Sequence, residues 1–276
     1  MDESTLRLSA FLTIFIAMAI AQAIAPRRPL RFAYQRWPAN LGIITIDILM
    51  VRLLFPAGAV GAALWAESNG LGLFNQLQSG YGISIVISVI LLDLIIYTQH
   101  LIFHAVPILW RLHSVHHADR DIDVTTGLRF HPIEILISML IKLSFVIALG
   151  APAAAVIIFE ILLNGMAMFN HANVKLPERL DAILRLLLIT PDVHRIHHSI
   201  TPRETDSNFG FNLSIWDRLF GTWQEQPQSG HQEMTIGLKQ LQQADTHNLI
   251  YMLRLPFQGE ISQYPSNKKR QEKSDV

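Results

Sequence analysis

The sequence predicts an all-α integral membrane protein with about four to five membrane helices and a helical, histidine-rich cap. Half of its 276 residues are hydrophobic and only 16% are charged, whereas soluble domains usually carry about 25% charged residues. Long apolar segments recur along the first 170 residues, and ten of the 12 histidines fall between residues 100 and 198. These observations together favour a membrane-embedded helical bundle with its histidines concentrated in one region.

The first three apolar segments predict helices that cross the membrane. Residues 8–25 are uncharged and are followed by arginines, an order opposite to that of a cleaved signal peptide. Residues 41–65 form a second segment, which is interrupted by two charged residues and Pro56. Residues 82–110 form a third, and its length exceeds the roughly 20 residues that a span requires.

The fourth apolar segment, residues 133–170, is broken near its middle by Gly150, Ala151 and Pro152. This break predicts two antiparallel helices joined by a tight turn. Lys142 lies inside the first of them, and a charge at the centre of a span costs about 2.5–3.5 kcal/mol. Two interpretations therefore stay open, namely two full spans or a re-entrant hairpin.

The distribution of arginine predicts the orientation. Residues 26–40 contain four arginines and residues 111–131 contain three, whereas residues 66–80 contain no lysine or arginine. The positive-inside rule places the two basic loops in the cytoplasm. The N-terminus is then outside, and the cap, with everything after residue 170, is cytoplasmic.

The chain is accordingly divided into three parts. Residues 1–80 are predicted to be N-terminal membrane helices, residues 81–223 a membrane and metal-binding domain, and residues 224–276 a polar C-terminal tail. Within the second part, residues 177–189 are amphipathic and are expected to lie along the membrane surface. The charged run at residues 267–276 is expected to be a solvated, disordered end.

Eight histidines form three short patterns that predict a metal centre. They are the pair His100 and His104, and two H-x-x-H-H triplets, His113, His116, His117 and His194, His197, His198. On a helix, residues three and four apart share a face, so a triplet can hold one ion or bridge two. Eight imidazoles exceed the needs of one ion, so two ions are expected. Imidazole alone selects only weakly among zinc, copper, iron and nickel.

Other polar residues near these patterns have two open interpretations each. His171 is expected to be a ninth ligand. The alternative is a histidine that lies at the membrane interface and binds no metal. His131 is either a ligand or a partner of Glu134. Asp93 lies at helical spacing before His100 and is expected to accept a hydrogen bond from the ring N–H of a ligand. The alternative is a structural hydrogen bond to a neighbouring helix. His231 and His247, in the polar tail, are predicted to be surface histidines.

Composition also excludes several functions. The chain contains no cysteine, which excludes disulfides, iron–sulfur clusters and thiolate zinc sites. Lysine plus arginine and aspartate plus glutamate both number 22. Because nucleic-acid binding requires a basic face, a nucleic-acid partner is not expected.

The three histidine patterns resemble those of the fatty acid hydroxylase / sterol desaturase superfamily. Four further stretches between residues 85 and 223 support the resemblance: Asp93-x-x-x-Tyr97, Phe130-His131-Pro132-x-Glu134, Asn170-His171-Ala172-Asn173 and Asn208 to Thr222. The resemblance implies a membrane-bound non-haem diiron oxygenase that uses dioxygen to hydroxylate or desaturate a C–H bond of a lipid, such as a sterol, a fatty acyl chain or an ether lipid.

The resemblance also assigns roles. It implies that two iron ions, with zinc as a substitute, are held by nine histidines: His100, His104, His113, His116, His117, His171, His194, His197 and His198. Asp93, Tyr97 and Glu134 are candidates for orienting ligands or handling protons. Electrons are expected from a separate protein, either cytochrome b5-like or ferredoxin-like. Two alternatives remain at this point, a non-catalytic membrane zinc protein and a metal transporter.

Overall fold

The computed structural model describes residues 3–259, and all regular secondary structure in this part of the chain is helical. The run at residues 267–276, predicted to be disordered, lies outside the described residues. Five helical segments are long and apolar enough to cross a membrane: Glu3–Ile24, Ala33–Gln76, Tyr81–Ala105, Pro132–Leu149 and Ala153–His171. The predicted all-α architecture with four to five membrane helices is confirmed.

The second segment is bent where the sequence places a proline. Helix α1 is Glu3–Ile24, and after a turn of 3₁₀-helix α2 runs over Trp37–Leu54. The helix stops before Pro56, because proline disfavours helical geometry in the preceding residue. Helix α3, Gly58–Ser68, then continues the segment, and the short α4, Leu73–Gln76, precedes the next span.

The third span ends earlier than its apolar composition suggests. Helix α5 covers Tyr81–Ala105 and α6 covers Pro107–His117, whereas the sequence predicted one segment to residue 110. Val106 between them is extended, with φ −102° and ψ 116°, because the proline that follows excludes the helical conformation. The break turns the chain so that the His113 triplet lies in the second half of a new helix, beside the end of α5.

The last apolar segment forms the predicted hairpin, α7 (Pro132–Leu149) and α8 (Ala153–His171). Gly150 adopts a left-handed conformation, φ +65°, in the turn. Lys142 forms an ion pair with Glu160 of α8, and Arg7 of α1 lies 2.8 Å from the same carboxylate. Because the charge of Lys142 is neutralised inside the bundle, the argument for a re-entrant hairpin loses its force, and two spanning helices are favoured.

Short helices form the cap over one end of the bundle. They are α9 (Glu178–Leu184), α10 (Pro191–His197), α11 (Pro202–Thr205), α12 (Ile215–Phe220), α13 (Gly230–Glu233) and α14 (Leu249–Arg254). The described part of the polar C-terminal segment packs into this cap: Leu241 and Met252 are buried against Ile43 of α2 and Trp110 of α6.

The two basic loops lie at the same end of the bundle as the histidines. Residues 25–27 pair with residues 173–175, through Arg27 N to Asn173 O at 2.9 Å and Lys175 N to Ala25 O at 2.8 Å. At the opposite end, the loop before α4 packs on the α7–α8 turn, where a Cβ on Gly72 would lie only 2.1 Å from Gly150 N. This sidedness agrees with the predicted arrangement of loops; which end faces the cytoplasm stays a prediction.

Two arginines of these loops are buried. Arg36 donates to Asp119 and to Asp123, each at 2.5 Å. Arg129 donates to Val115 O at 2.8 Å and to Asn40 at 3.2 Å. Both arginines are 0% exposed, so they belong to an internal ion network and not to the solvated charge of the loops from which the orientation was inferred.

Candidate metal centre

The nine histidines predicted as ligands converge into two groups. Group 1 is His100, His104, His113, His117 and His197, and group 2 is His116, His171, His194 and His198. Within each group one candidate ligand atom from every residue lies within 4.8 Å of the others. All nine side chains are at most 3% exposed. The residues come from α5, α6, α8, α10 and the residue after α10, His198, so the site forms only where these four helices meet.

Each H-x-x-H-H triplet divides its histidines between the two groups. His113 and His117, four residues apart, enter group 1, whereas His116 enters group 2. On α10 and the residue after it the arrangement is reversed, because His194 and His198 enter group 2 and His197 enters group 1. Residues four apart lie on one face of a helix, and the third imidazole faces the neighbouring group. The sequence left open whether a triplet holds one ion or bridges two; in the structure each triplet contributes imidazoles to both groups, and bridging of two ions stays a prediction.

In group 1, three imidazoles are oriented by oxygen acceptors. His100 Nδ1 donates to Phe209 O at 2.7 Å, and His197 Nδ1 donates to Ser207 O at 2.8 Å. His113 Nδ1 donates to the Glu134 carboxylate at 2.7 Å. An imidazole that donates through Nδ1 carries its lone pair on Nε2, so these hydrogen bonds direct three lone pairs toward one another.

In group 2, His171 is central. Its Nε2 lies 3.1 Å from that of His116, 3.0 Å from that of His194 and 3.2 Å from that of His198. His171 Nδ1 donates to Ala167 O at 2.7 Å and His116 Nδ1 donates to Arg129 O at 3.2 Å. His171, the ninth histidine expected from sequence, is therefore the member of group 2 that contacts all three of the others.

This donor set fits a bound cation. His100 Nε2 and His113 Nε2 are 3.0 Å apart, and the Nδ1 atom of each ring already donates elsewhere. Two facing lone pairs repel unless a cation lies between them. Two nitrogens about 2.1 Å from one ion and at right angles to each other would be about 3.0 Å apart. Among the described residues, neither nitrogen of His117 has a hydrogen-bond partner, and such an orphaned buried imidazole is also consistent with a metal ligand.

Burial keeps the cap histidines neutral. It lowers the pKa of His113 to about 3 and holds the pKa values of His117, His194 and His198 well below their usual value, with neighbouring histidines lowering these three further. A metal binds the neutral ring, so these imidazoles have no proton to displace at neutral pH.

Among the residues expected to orient ligands, Glu134 contacts one and Asp93 does not. Glu134 accepts the hydrogen bond from His113. Asp93 instead accepts from Trp216 Nε1 at 2.8 Å and from Leu213 N at 3.3 Å. These contacts match the alternative interpretation of Asp93, a structural hydrogen bond to a neighbouring segment. A role of Asp93 in orienting a ligand stays a prediction.

Tyr97 and His131 make their hydrogen bonds to residues outside the two groups. Tyr97 Oη shares a hydrogen bond with Thr222 Oγ1 at 2.9 Å. His131 caps α7, accepting from Ile133 N at 3.2 Å, and its Nε2 donates to Leu253 O at 3.2 Å. His131 belongs to neither histidine group, so the structure favours a capping role.

Sequence reasoning missed the ion network beneath group 2. Burial alone would raise the pKa of Asp119, but the guanidinium groups of Arg36 and Arg129 lower it below its usual value. Arg129 accepts from His116 through its carbonyl and donates to Val115 O. The charged network thus fixes the backbone that holds His116. The signal available in the sequence was the alternation Asp119, Asp121, Asp123 immediately after the first triplet.

Aromatic rings separate the two groups from water. Trp110 lies 4.8 Å from the ring of His104 and 5.2 Å from that of His117, measured between centroids. Phe209 lies 5.0 Å from His104, and Phe130 stacks on His116 at 4.4 Å. Trp110 is 1% exposed. No pattern in the sequence distinguished this tryptophan from an ordinary membrane residue.

His231, which the sequence predicts at the surface, is buried. It is 7% exposed and its Nε2 lies 3.6 Å from the Asp192 carboxylate. His247 is half-buried, and its Nε2 accepts from Arg120 at 3.0 Å. The prediction is wrong for His231 because the C-terminal segment folds back onto α10.

The same part of the chain matches a family of known proteins. The sequence model of the fatty acid hydroxylase family matches residues 85–222, half of the chain, and this range contains both histidine groups. The chain belongs to the fatty acid hydroxylase family. Membership confirms the resemblance recognised in the histidine patterns, and with the five apolar helices it makes the chain a multi-pass membrane protein.

Two kinds of curated protein are similar to this fatty acid hydroxylase family member. It is 30% identical over 152 residues to the ornithine lipid hydroxylase OlsE of Rhizobium tropici, which covers 55% of this chain and 45% of that protein. It is 34% identical over 127 residues to the alkylglycerol monooxygenase of Xenopus tropicalis and 30% over 129 residues to that of Homo sapiens, covering 46% of this chain in each case. These matches span 27% and 28% of the two monooxygenases. The chain thus matches less than half the length of these relatives, and no solved structure gives a significant match.

Proposed function

We propose that the protein is a membrane-bound non-haem diiron oxidoreductase that uses dioxygen to hydroxylate or desaturate a C–H bond of a lipid. The observation that carries the proposal is the pair of buried histidine groups, with Nε2 atoms 3.0–3.2 Å apart and no cysteine in the chain. The names of the relatives, a lipid hydroxylase and a monooxygenase, support oxidation of a lipid.

The division of the histidines supports two ions. Five imidazoles in group 1 and four in group 2 each provide enough donors for one ion with coordination positions left open. Two iron ions held there would supply the redox chemistry that activates dioxygen. Zinc, which imidazole also binds well, is the substitute to be excluded by experiment.

The chain itself positions and shields this chemistry. The carbonyls of Phe209 and Ser207 and the carboxylate of Glu134 fix the tautomers of three histidines in group 1. Such outer partners fix ring orientation and raise ligand basicity. Trp110 and Phe209 exclude water from the same group. In the proposal Glu134 is an orienting residue, whereas Asp93 and Tyr97 act by holding the segment that carries Phe209.

The setting favours a lipid substrate and a protein electron donor. Both groups lie where the apolar helices α5 and α8 end, so an acyl chain or polycyclic ring system can reach them from the bilayer. Each turnover needs two external electrons, which we assign to a separate cytochrome b5-like or ferredoxin-like protein. By the positive-inside rule, the metal centre and the C-terminus face the cytoplasm, where such carriers occur.

The position of the ligands disfavours transport. A transporter places its site near the bilayer midplane, whereas all nine histidines lie at one end of the bundle. No described feature favours a metal transporter over an enzyme.

Metal analysis of anaerobically purified protein, followed by lipid oxidation under air, tests the proposal. We expect about two irons per chain and oxygen-dependent conversion of lipids extracted from the host membrane when a reductant and an electron carrier are supplied. The matched control is the double variant His116→Ala/His197→Ala, which removes one ligand from each group and keeps the membrane helices. Tightly held zinc with no conversion after iron reconstitution would refute the enzyme and favour a structural zinc protein.

A further inference from the structure

Helix α9 and the turn after it expose apolar side chains and bury an ion pair, whereas a surface helix of a soluble protein buries its apolar side chains. Asp181 of α9 and Arg185, the residue after the helix, form an ion pair and are each 8% exposed, whereas Glu178 and Arg179 in its first turn are exposed. Ile183, Leu186 and Leu187 point outward and are 60–69% exposed. Large contiguous apolar patches are rare on surfaces that face water.

A second apolar segment continues this surface. Ser214 donates through its backbone N–H to Leu187 O at 2.9 Å, and through its hydroxyl to Arg185 O at 2.9 Å. It is followed by α12, where Ile215, Leu219 and Phe220 are 49–66% exposed. We call the six exposed side chains of the two segments the apolar face: Ile183, Leu186, Leu187, Ile215, Leu219 and Phe220.

The contacts of α12 place the apolar face beside a membrane span. Trp216 donates to Asp93, and Phe220 stacks on Tyr97 with ring centroids 5.4 Å apart. Asp93 and Tyr97 lie within α5, which is long and apolar enough to cross the membrane. At 1.5 Å per residue, Asp93 is about 10 Å, and Tyr97 about 4.5 Å, from His100 toward the membrane side of the metal centre. Helix α12 therefore runs along the candidate span α5 between the levels of Asp93 and Tyr97, although the sequence assigns it to the aqueous side.

We propose that the apolar face is inserted into the lipid leaflet next to α5, where it contacts acyl chains. Its continuity with the span identifies the occupant, because the lipids that surround α5 at the level of Asp93 and Tyr97 also meet α12. The ion pair between Asp181 and Arg185 neutralises these two charges on the protein side. The exposed charges beside the apolar face, Glu178, Arg179 and Arg218, lie on long side chains that can reach the headgroup level. An interfacial helix binds a membrane through such a surface.

The insertion gives the substrate a direct route, and this part rests on the proposed function. Phe209 and Phe211 precede α12 and lie 5.5 Å and 5.3 Å from the ring of His100. The same segment thus contacts the leaflet at Phe220 and the metal centre at Phe209. A lipid that enters between α5 and this segment reaches the histidines without crossing water.

Spin labelling can test the insertion directly because the chain has no cysteine. Ile183→Cys and Leu219→Cys place one nitroxide each on the apolar face, and Lys239→Cys, an exposed residue of the cap outside this face, is the matched control. The labelled proteins, reconstituted in phosphatidylcholine vesicles, are examined by electron paramagnetic resonance power saturation with oxygen, which partitions into lipid, and with chromium oxalate, which stays in water.

We expect oxygen to relax the labels at 183 and 219 more strongly than chromium oxalate does, and the opposite order at 239. Strong relaxation by chromium oxalate at 183 and 219 would overturn the proposal, because the face would then be in water. Weak relaxation by both reagents would also overturn it, because another protein surface would cover the face. The measurement requires no turnover, so it separates failure of the insertion from failure of the proposed function.

Discussion

The hydrogen bond between His113 and Glu134 gives a quantitative test of how group 1 is held. The carboxylate accepts from Nδ1 at 2.7 Å and is 4% exposed. A hydrogen bond to a charged group contributes about 1.5–3 kcal/mol, and each 1.4 kcal/mol corresponds to about tenfold in affinity. We therefore expect Glu134→Gln, which keeps an acceptor but loses the charge, to weaken metal binding in group 1 about tenfold. Glu134→Ala should weaken it about a hundredfold, the upper range for loss of such a partner.

The assay is the metal retained per chain against increasing concentrations of a chelator, measured by mass spectrometry. The wild-type protein should release its metal in two steps, and only the step of group 1 should shift in the variants, so that group 2 provides an internal reference. Glu204→Gln is the matched control, because Glu204 is also buried, at 2% exposure, but accepts from Gln228 N and from no histidine.

The reasoning would be refuted if Glu134→Gln and Glu134→Ala released metal at the same chelator concentration as the wild type. An equal shift of both steps would contradict the assignment of His113 to one group. A shift of the same size in the Glu204→Gln control would show that the measurement reports general loosening of the cap.

Three further predictions test the metal groups and the buried charges. His116→Ala and His197→Ala should each lower metal content by about one ion per chain, because each removes a ligand from a different group; loss of both ions in either variant, measured by metal analysis, would contradict the division. Arg36→Met should lower the free energy of unfolding in detergent by about 3–5 kcal/mol, because it leaves buried aspartates without their cation. An unchanged denaturation midpoint would contradict a stabilising role of the Arg36 ion pairs. Glu160→Leu should destabilise the bundle by about 2.5–3.5 kcal/mol by leaving Lys142 unpaired, and adding Lys142→Leu should recover most of the loss in the same measurement; no recovery would exclude the ion pair as the cause.

The membrane helices were predictable because their signal is local. Apolar composition over about 20 residues identifies a span, and Gly150 with Pro152 marked the hairpin turn. The boundary at Ala105 was missed because composition continues through Val106 and Pro107. There, the conformational restriction imposed by one proline outweighs hydropathy.

The identity of the clustered histidines was predictable, but their partition was not. Helical spacing fixes which imidazoles share a face of one helix, and this holds for His113 with His117. Which group that face meets depends on the packing of α10 against α6, a tertiary property. Arg36 and Asp119 are 83 residues apart in sequence, and no local pattern distinguishes an arginine that neutralises a buried aspartate from one that faces water.

Because each H-x-x-H-H triplet contributes to both groups, the order of synthesis limits when a group can form. Group 1 takes His197 from the second triplet, and group 2 takes His194 and His198 from it. Neither group is complete in a growing polypeptide until the segment through residue 198 has been synthesised and folded against α6. An ion bound in either group would be coordinated by residues from both triplets, and would therefore stabilise only the folded form. If the protein binds metal as proposed, metal binding depends on completed assembly, since a chain truncated before the second triplet would insert its helices without acquiring a complete group.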